Sequence, residues 1–165
     1  MNRKQRTQEE LRVASDHLHY EIWMLTSLAS GMASGITGEG VINNAFLESF
    51  TVHARGLLDF LYAEKPKPDD VIADDFFPTS QKWKEVRPER TEVLEKVHKR
   101  VGKEVAHLTY ARQDVTPEMK KWPFLQIAND IKVSFNEFLR IVPEELLGLR
   151  WENEKEQIRK MRKNT

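Results

Sequence analysis

Arg100 and His107 stand seven positions apart in the stretch His98-Lys-Arg-Val-Gly-Lys-Glu-Val-Ala-His-Leu-Thr-Tyr-Ala-Arg112, whose apolar residues have helical spacing. A helix turns about 100° per residue, so the two side chains leave in nearly one direction, about two turns apart. Arginine holds a phosphate through a planar fork of donors, and histidine moves a proton near neutral pH. Together they are a minimum kit for binding or cleaving RNA. A helix of this charge density also places Arg and His on a common face without any function. The surrounding elements must therefore carry part of the reading.

A second set sits earlier in the chain. Glu48, Arg55 and Asp59 lie at spacings of seven and four, so they share one angular direction on a segment otherwise rich in Phe and Leu. They read either as a solvated face with an Arg55–Asp59 pair, or as a polar seam in which Glu48 or Asp59 orients Arg100. Tyr110, three residues past His107, is a further polar neighbour.

Other chemistries have less behind them. There is no cysteine, which excludes disulfides, thiolate metal sites and a cysteine nucleophile. His17 and His19 are two apart and diverge on a helix, and Glu104 with His107 gives only half of a di-iron Glu-x-x-His pattern. His53 lies on an apolar stripe and reads as a hydrogen-bonded core histidine before a ligand. The run Gly31-Met-Ala-Ser-Gly-Ile-Thr-Gly-Glu-Gly40 lacks the Gly-Lys-Ser/Thr ending of a phosphate loop and reads as a connection. No metal or cofactor is expected.

The elements that must position these groups are helical. Leu11, Ala14, Leu18, Ile22, Leu25 and Leu28 recur at three- and four-residue steps, predicting a helix from about Thr7 to Met32. Phe46, Phe50, His53, Leu57 and Phe60 predict a second from Val41 to about Ala63. Pro66 and Pro68 then stop it and open a long loop to about Arg87, whose Val71, Ile72, Phe76, Phe77 and Trp83 are apolar enough to pack down. A third helix is expected from Pro88 through Val101 to about Arg112. A fourth start is signalled by Thr116-Pro-Glu118, and its clear pattern runs from Phe124 to Val142. A short fifth helix through Leu146, Leu147 and Leu149 leads into Trp151 and a charged tail. The expected class is all-α, one bundle of four main helices with short accessory helices. It would be a single domain over residues 1–165, with a packed loop over about 64–87 and a charged tail over 152–165.

Charge adds little: Lys and Arg total 26 and Asp and Glu total 26, so any pull on nucleic acid is local. The basic ends, Arg3, Lys4 and Arg6 and then Arg159, Lys160, Arg162 and Lys163, read as frayed solubilising termini or as a footprint for RNA phosphates. The start lacks the apolar run of a secretory signal and no stretch has the length of a membrane span, so a soluble, cytoplasmic protein with no membrane partner is expected.

An arginine followed after six residues by a histidine, on a late helix of an all-α bundle, resembles the signature of the HEPN superfamily. The segments Asn44–Phe60 and Lys103–Arg112 are also similar to small uncharacterised bacterial helical proteins. The resemblance covers these two helices. It implies a metal-independent endoribonuclease whose homodimer brings two Arg/His pairs together at the interface. Arg100 would hold the scissile phosphate while His107 assists proton transfer as the 2′-hydroxyl attacks. Val101 stands where many active members carry a polar residue. The alternative is a non-enzymatic interaction module of toxin–antitoxin or defence-associated kind, with a cognate protein partner and with Trp151, Phe76 and Phe77 as anchors.

Overall fold

The computed structural model describes residues 3–101, 105, 110, 113, 116 and 121–163. Among them every regular element is helical: α1 (Gln8–Ala33), α2 (Val41–Tyr62), α3 (Ser80–Val86), α4 (Glu92–Arg100), α5 (Phe124–Ile141) and α6 (Lys155–Lys163). Single 3₁₀ turns lie at Ala73–Phe76, Glu144–Leu146 and Leu149–Trp151. The chain is therefore all-α. No helix among the described residues is long and apolar enough to cross a membrane. Contacts group the chain into two compact units, residues 1–21, 59–89 and 132–165 in the first and 22–58 and 90–131 in the second, so α1, α2 and α5 each contribute to both.

The first helix opens on a reciprocal cap. Thr7 Oγ1 accepts from the Glu10 amide at 3.1 Å and a Glu10 carboxylate oxygen accepts from the Thr7 amide at 2.7 Å, satisfying two donors that a helix start leaves over. That backbone hydrogen bond is the main reason the Glu10 carboxyl titrates below its ordinary range. Gly35, at φ +72°, ends the connection's first turn and Gly40, at φ +81°, precedes α2; both need the left-handed region that glycine adopts without strain.

In the first unit the core is aromatic. Phe138 is fully buried, and its ring centroid lies 5.0 Å from Phe60, 5.4 Å from Phe76 and 5.9 Å from both Phe77 and Trp83. These contacts pull down the segment after α2. The stretch expected as a loop from Glu64 to Arg87 holds a 3₁₀ turn and α3, with Ile72, Phe76, Phe77 and Trp83 buried but Val71 exposed. Trp83 fixes it further by donating Nε1–H to the Leu61 carbonyl at 2.8 Å, near the end of α2. Tyr62 donates its hydroxyl to the Pro88 carbonyl at 2.9 Å, so Ser134, 2.7 Å away, must donate to Tyr62.

The C-terminal stretch also departs from expectation. Leu146, Leu147 and Leu149 form no α-helix, because the chain must turn at Gly148 to reach α1: the Gly148 amide donates to Ser15 Oγ at 2.7 Å, and Trp151 Nε1 donates to the Ser15 carbonyl at 2.9 Å. The charged tail is instead helix α6, held by buried Ile158 and by Arg162, which donates to the Leu139 and Val142 carbonyls at 2.9 and 2.6 Å. Those carbonyls sit at the end of α5, where orphan acceptors favour a cation.

In the second unit Leu25, Phe50, Leu57, Ile127 and Ile131 are fully buried. The third expected helix starts later than Pro88. Thr91 caps it, accepting from the Leu94 amide at 3.3 Å while donating to Asp130 on α5 at 2.7 Å. Its expected continuation to Arg112 and the Pro117-Glu118 start lie outside the described residues, and α5 begins at Phe124, just after Pro123.

Gly148 has no room for a side chain: a Cβ there would lie 2.6 Å from the Arg12 carbonyl oxygen. Gly148→Ala is expected to destabilise the protein by about 2–3 kcal/mol through overpacking against backbone, measured by urea unfolding.

Candidate functional site

Arg100 ends the described part of α4 in a basic last turn with His98 and Lys99. Its guanidinium carbon lies 4.0 Å from the centroid of the Trp122 ring, and its Nη1 donates to the Lys121 carbonyl at 3.3 Å. Both residues are half-buried. A cation on an indole face gains roughly 0.5–1 kcal/mol at a partly exposed site. Val101, by contrast, is 1% exposed and packs in the core, as its apolar side chain requires.

His107 lies outside the described residues, as do Lys103, Glu104, Leu108 and Arg112. Tyr110 is 89% exposed. On α2, Glu48 and Asp59 are exposed and Arg55 is half-buried. His53 is buried on the apolar face of α2, where a core histidine is expected. His17 is exposed, whereas His19 meets Glu154 at 3.2 Å and sets its ring edge-to-face on Trp151 at 4.9 Å. Among the described residues no three His, Asp or Glu side chains converge as metal ligands would.

Most arginines of the basic ends are tied to the protein itself. Arg3 donates to the Lys67 carbonyl, to the Asp70 carbonyl at 2.5 Å and to the Asp75 carboxylate at 2.8 Å, and Arg6 donates to the Pro68 carbonyl at 2.5 Å. At the other end Arg159 binds the Glu144 carboxylate and Lys160 binds Glu156 at 2.7 Å. These cations are committed to protein acceptors, which removes most of an RNA footprint at the termini. The expected anchors fail for a similar reason. Trp151, Phe76 and Phe77 are 3%, 1% and 7% exposed, so they fill the core of the first unit and offer nothing to a partner.

Sequence reasoning missed Trp122 as a partner of Arg100. The two are far apart along the chain, and only the fold brings them together. It also missed Asp74, which lines a cavity of about 640 Å³ within the first unit. The only signal there was an Asp-Asp pair inside an apolar run, Val71-Ile-Ala-Asp-Asp-Phe-Phe77. The 3₁₀ turn treats the two acids differently. Asp75 takes Arg3 and the Ile72 amide, whereas Asp74 has only Lys84, 3.8 Å away, and burial raises its carboxyl above the ordinary range despite Lys84, Arg87 and Arg3.

No known protein family, curated protein or solved structure matches the chain. The geometry of these two places therefore stands alone as a guide to function.

Val101→Asn, which introduces the polar residue common in active HEPN proteins, is expected to cost about 2–3 kcal/mol in urea unfolding because it buries an unpaired amide. Asp74→Asn is expected to do the opposite. A carboxyl whose pKa is raised by folding binds its proton more tightly folded than unfolded, so its cost is absent in acid and complete above the raised pKa. The variant should melt above the wild type at pH 7, and the gap should close as pH falls below about 4; a variant that melts lower at pH 7 would contradict this sign.

Proposed function

We infer that the protein is an RNA-binding helical bundle of HEPN-like kind, with Arg100 as its central phosphate contact and His107, seven positions on, as the proton-transfer partner. In this reading α1, α2, α4 and α5 are the four main members of the bundle. The observation that carries the reading is the Arg100–Trp122 contact at 4.0 Å. A guanidinium held on a half-exposed indole offers N–H donors to a phosphate, and the indole beside it offers a face on which a base can stack. Phosphate contact and base stacking at adjacent positions are what single-stranded RNA requires.

Cleavage follows from the same pair. Arg100 neutralises the phosphate while His107 accepts the proton of the 2′-hydroxyl; the 2′-oxygen bonds to phosphorus, the bond to the 5′-oxygen breaks, and a proton returns to the leaving oxygen. The product ends are a 2′,3′-cyclic phosphate and a 5′-hydroxyl. The HEPN resemblance brings a homodimer with it, in which two such pairs face one substrate. Glu48, Arg55, Asp59 and Tyr110 are the candidate polar neighbours.

The test is an RNA pool incubated in EDTA with wild type, Arg100→Ala and His107→Ala, with binding read by filter retention and mass by light scattering. Expected are wild-type binding that weakens as salt rises, a loss of about tenfold in Arg100→Ala, cyclic-phosphate ends absent from His107→Ala, and the mass of a dimer. A folded wild type that neither retains nor cuts RNA contradicts the reading.

A further inference from the structure

The cavity in the first unit is built differently from the Arg100 face. It is bordered by the N-terminal segment Arg3–Arg6, by the end of α2, by the 3₁₀ turn Ala73–Phe76 and by Lys84 of α3. Its volume of about 640 Å³ lies in the range of small-molecule sites. Leu11, Ile72, Phe76, Phe77, Pro143 and Leu146 give it apolar walls.

Asp74 is the polar group left over within it. Its side chain is only 14% exposed, and its one ionic partner, Lys84, stands at 3.8 Å, beyond hydrogen-bond distance, with a side chain 45% exposed. No donor among the described residues makes a hydrogen bond to its carboxylate. A carboxylate so placed has lost most of its water and gained only an ion pair at 3.8 Å, and a bound cation would supply the hydrogen bonds it lacks.

The other charged groups of the lining do not compete for that role. Arg3 donates through Nη1 and Nη2 to the Lys67 and Asp70 carbonyls and to Asp75, which leaves only its buried Nε without a partner, and Arg6 donates through Nη2 to the Pro68 carbonyl. Lys4 and Lys84 have side chains 75% and 45% exposed, and their long stems let the ammonium groups stay in water. An anionic ligand would meet the carboxylates of Glu64, Asp74 and Asp75, while Arg3 Nη1 and Nη2 and Arg6 Nη2 already donate to protein acceptors. A neutral apolar one would leave Asp74 unpaired.

We propose that this cavity binds a small molecule carrying a protonated primary amine on an apolar body, with the Asp74 carboxylate as its counter-ion. The ammonium supplies the charge-assisted hydrogen bonds that Asp74 lacks, and the body displaces water from the Phe, Leu and Pro walls. The proposal is independent of RNA binding, since every residue it uses belongs to the first unit.

The experiment is calorimetric titration of the full chain with 2-phenylethylamine and n-hexylamine, beside the same bodies bearing a hydroxyl, 2-phenylethanol and 1-hexanol. Asp74→Asn is the variant, and circular dichroism verifies its fold. Expected is saturable one-site binding of at least one amine, at least about tenfold weaker binding of its alcohol, and a loss of about tenfold or more for the amine in Asp74→Asn with the alcohol unchanged. Failure of both amines to saturate, equal binding of amine and alcohol, or undiminished amine binding by a folded Asp74→Asn would each overturn the proposal.

Discussion

The burial of Phe138 is the constraint on which most of the first unit depends. Its ring meets Phe60 of α2, Phe76 of the 3₁₀ turn, Phe77 just after it and Trp83 of α3, so one side chain of α5 holds three other elements. Edge-to-face pairs of this kind add about 0.5–1.5 kcal/mol each beyond the area they bury. Without them the proline-interrupted segment after α2 would have little reason to fold down. With them, Ala73–Phe76 is fixed as a turn, Asp75 is set against Arg3, and Asp74 is left in the cavity wall.

The helix ends show how polar groups complete what the apolar core begins. Thr7 and Glu10 close the start of α1, Thr91 closes the start of α4 and ties it to Asp130, and Arg162 covers carbonyls at the end of α5. Arginines that look from composition like an electrostatic surface are consumed in this work. Arg100 differs in kind, because its guanidinium lies over an aromatic face while Nη1 donates to a carbonyl.

The long helices were legible because their apolar residues repeat over many turns. The predicted Thr7–Met32 and Val41–Ala63 differ from α1 and α2 by a residue at each displaced end, and the run from Phe124 to Val142 overshoots the end of α5 by one. Short and charged helices were not. Seven residues of α3 carry too few repeats to show a period, and α6 buries only Ile158 while the rest of its hold is polar. The start of α4 was misplaced because Pro88 suits a first turn, yet the side chain that satisfies the free amides is that of Thr91. Aromatic residues misled in the other direction: Trp151, Phe76 and Phe77 look like anchors in a polar neighbourhood, and three-dimensional packing turns them inward. At the candidate site, Arg100 could be picked out by spacing along a helix, but Trp122 could not, since its contact is made through tertiary structure alone.

The central claim is that the Arg100–Trp122 face is where RNA lies, and the tryptophan itself reports on it. Trp83 and Trp151 are buried, leaving Trp122 and the exposed Trp23 as the indoles that a stacked base can quench. Titration of tryptophan fluorescence with a single-stranded oligoribonucleotide, in wild type and in Trp122→Phe, is therefore the most direct measurement. Saturable quenching in the wild type that disappears in Trp122→Phe is the predicted result. Quenching that survives the substitution, or none in either protein, would contradict the account.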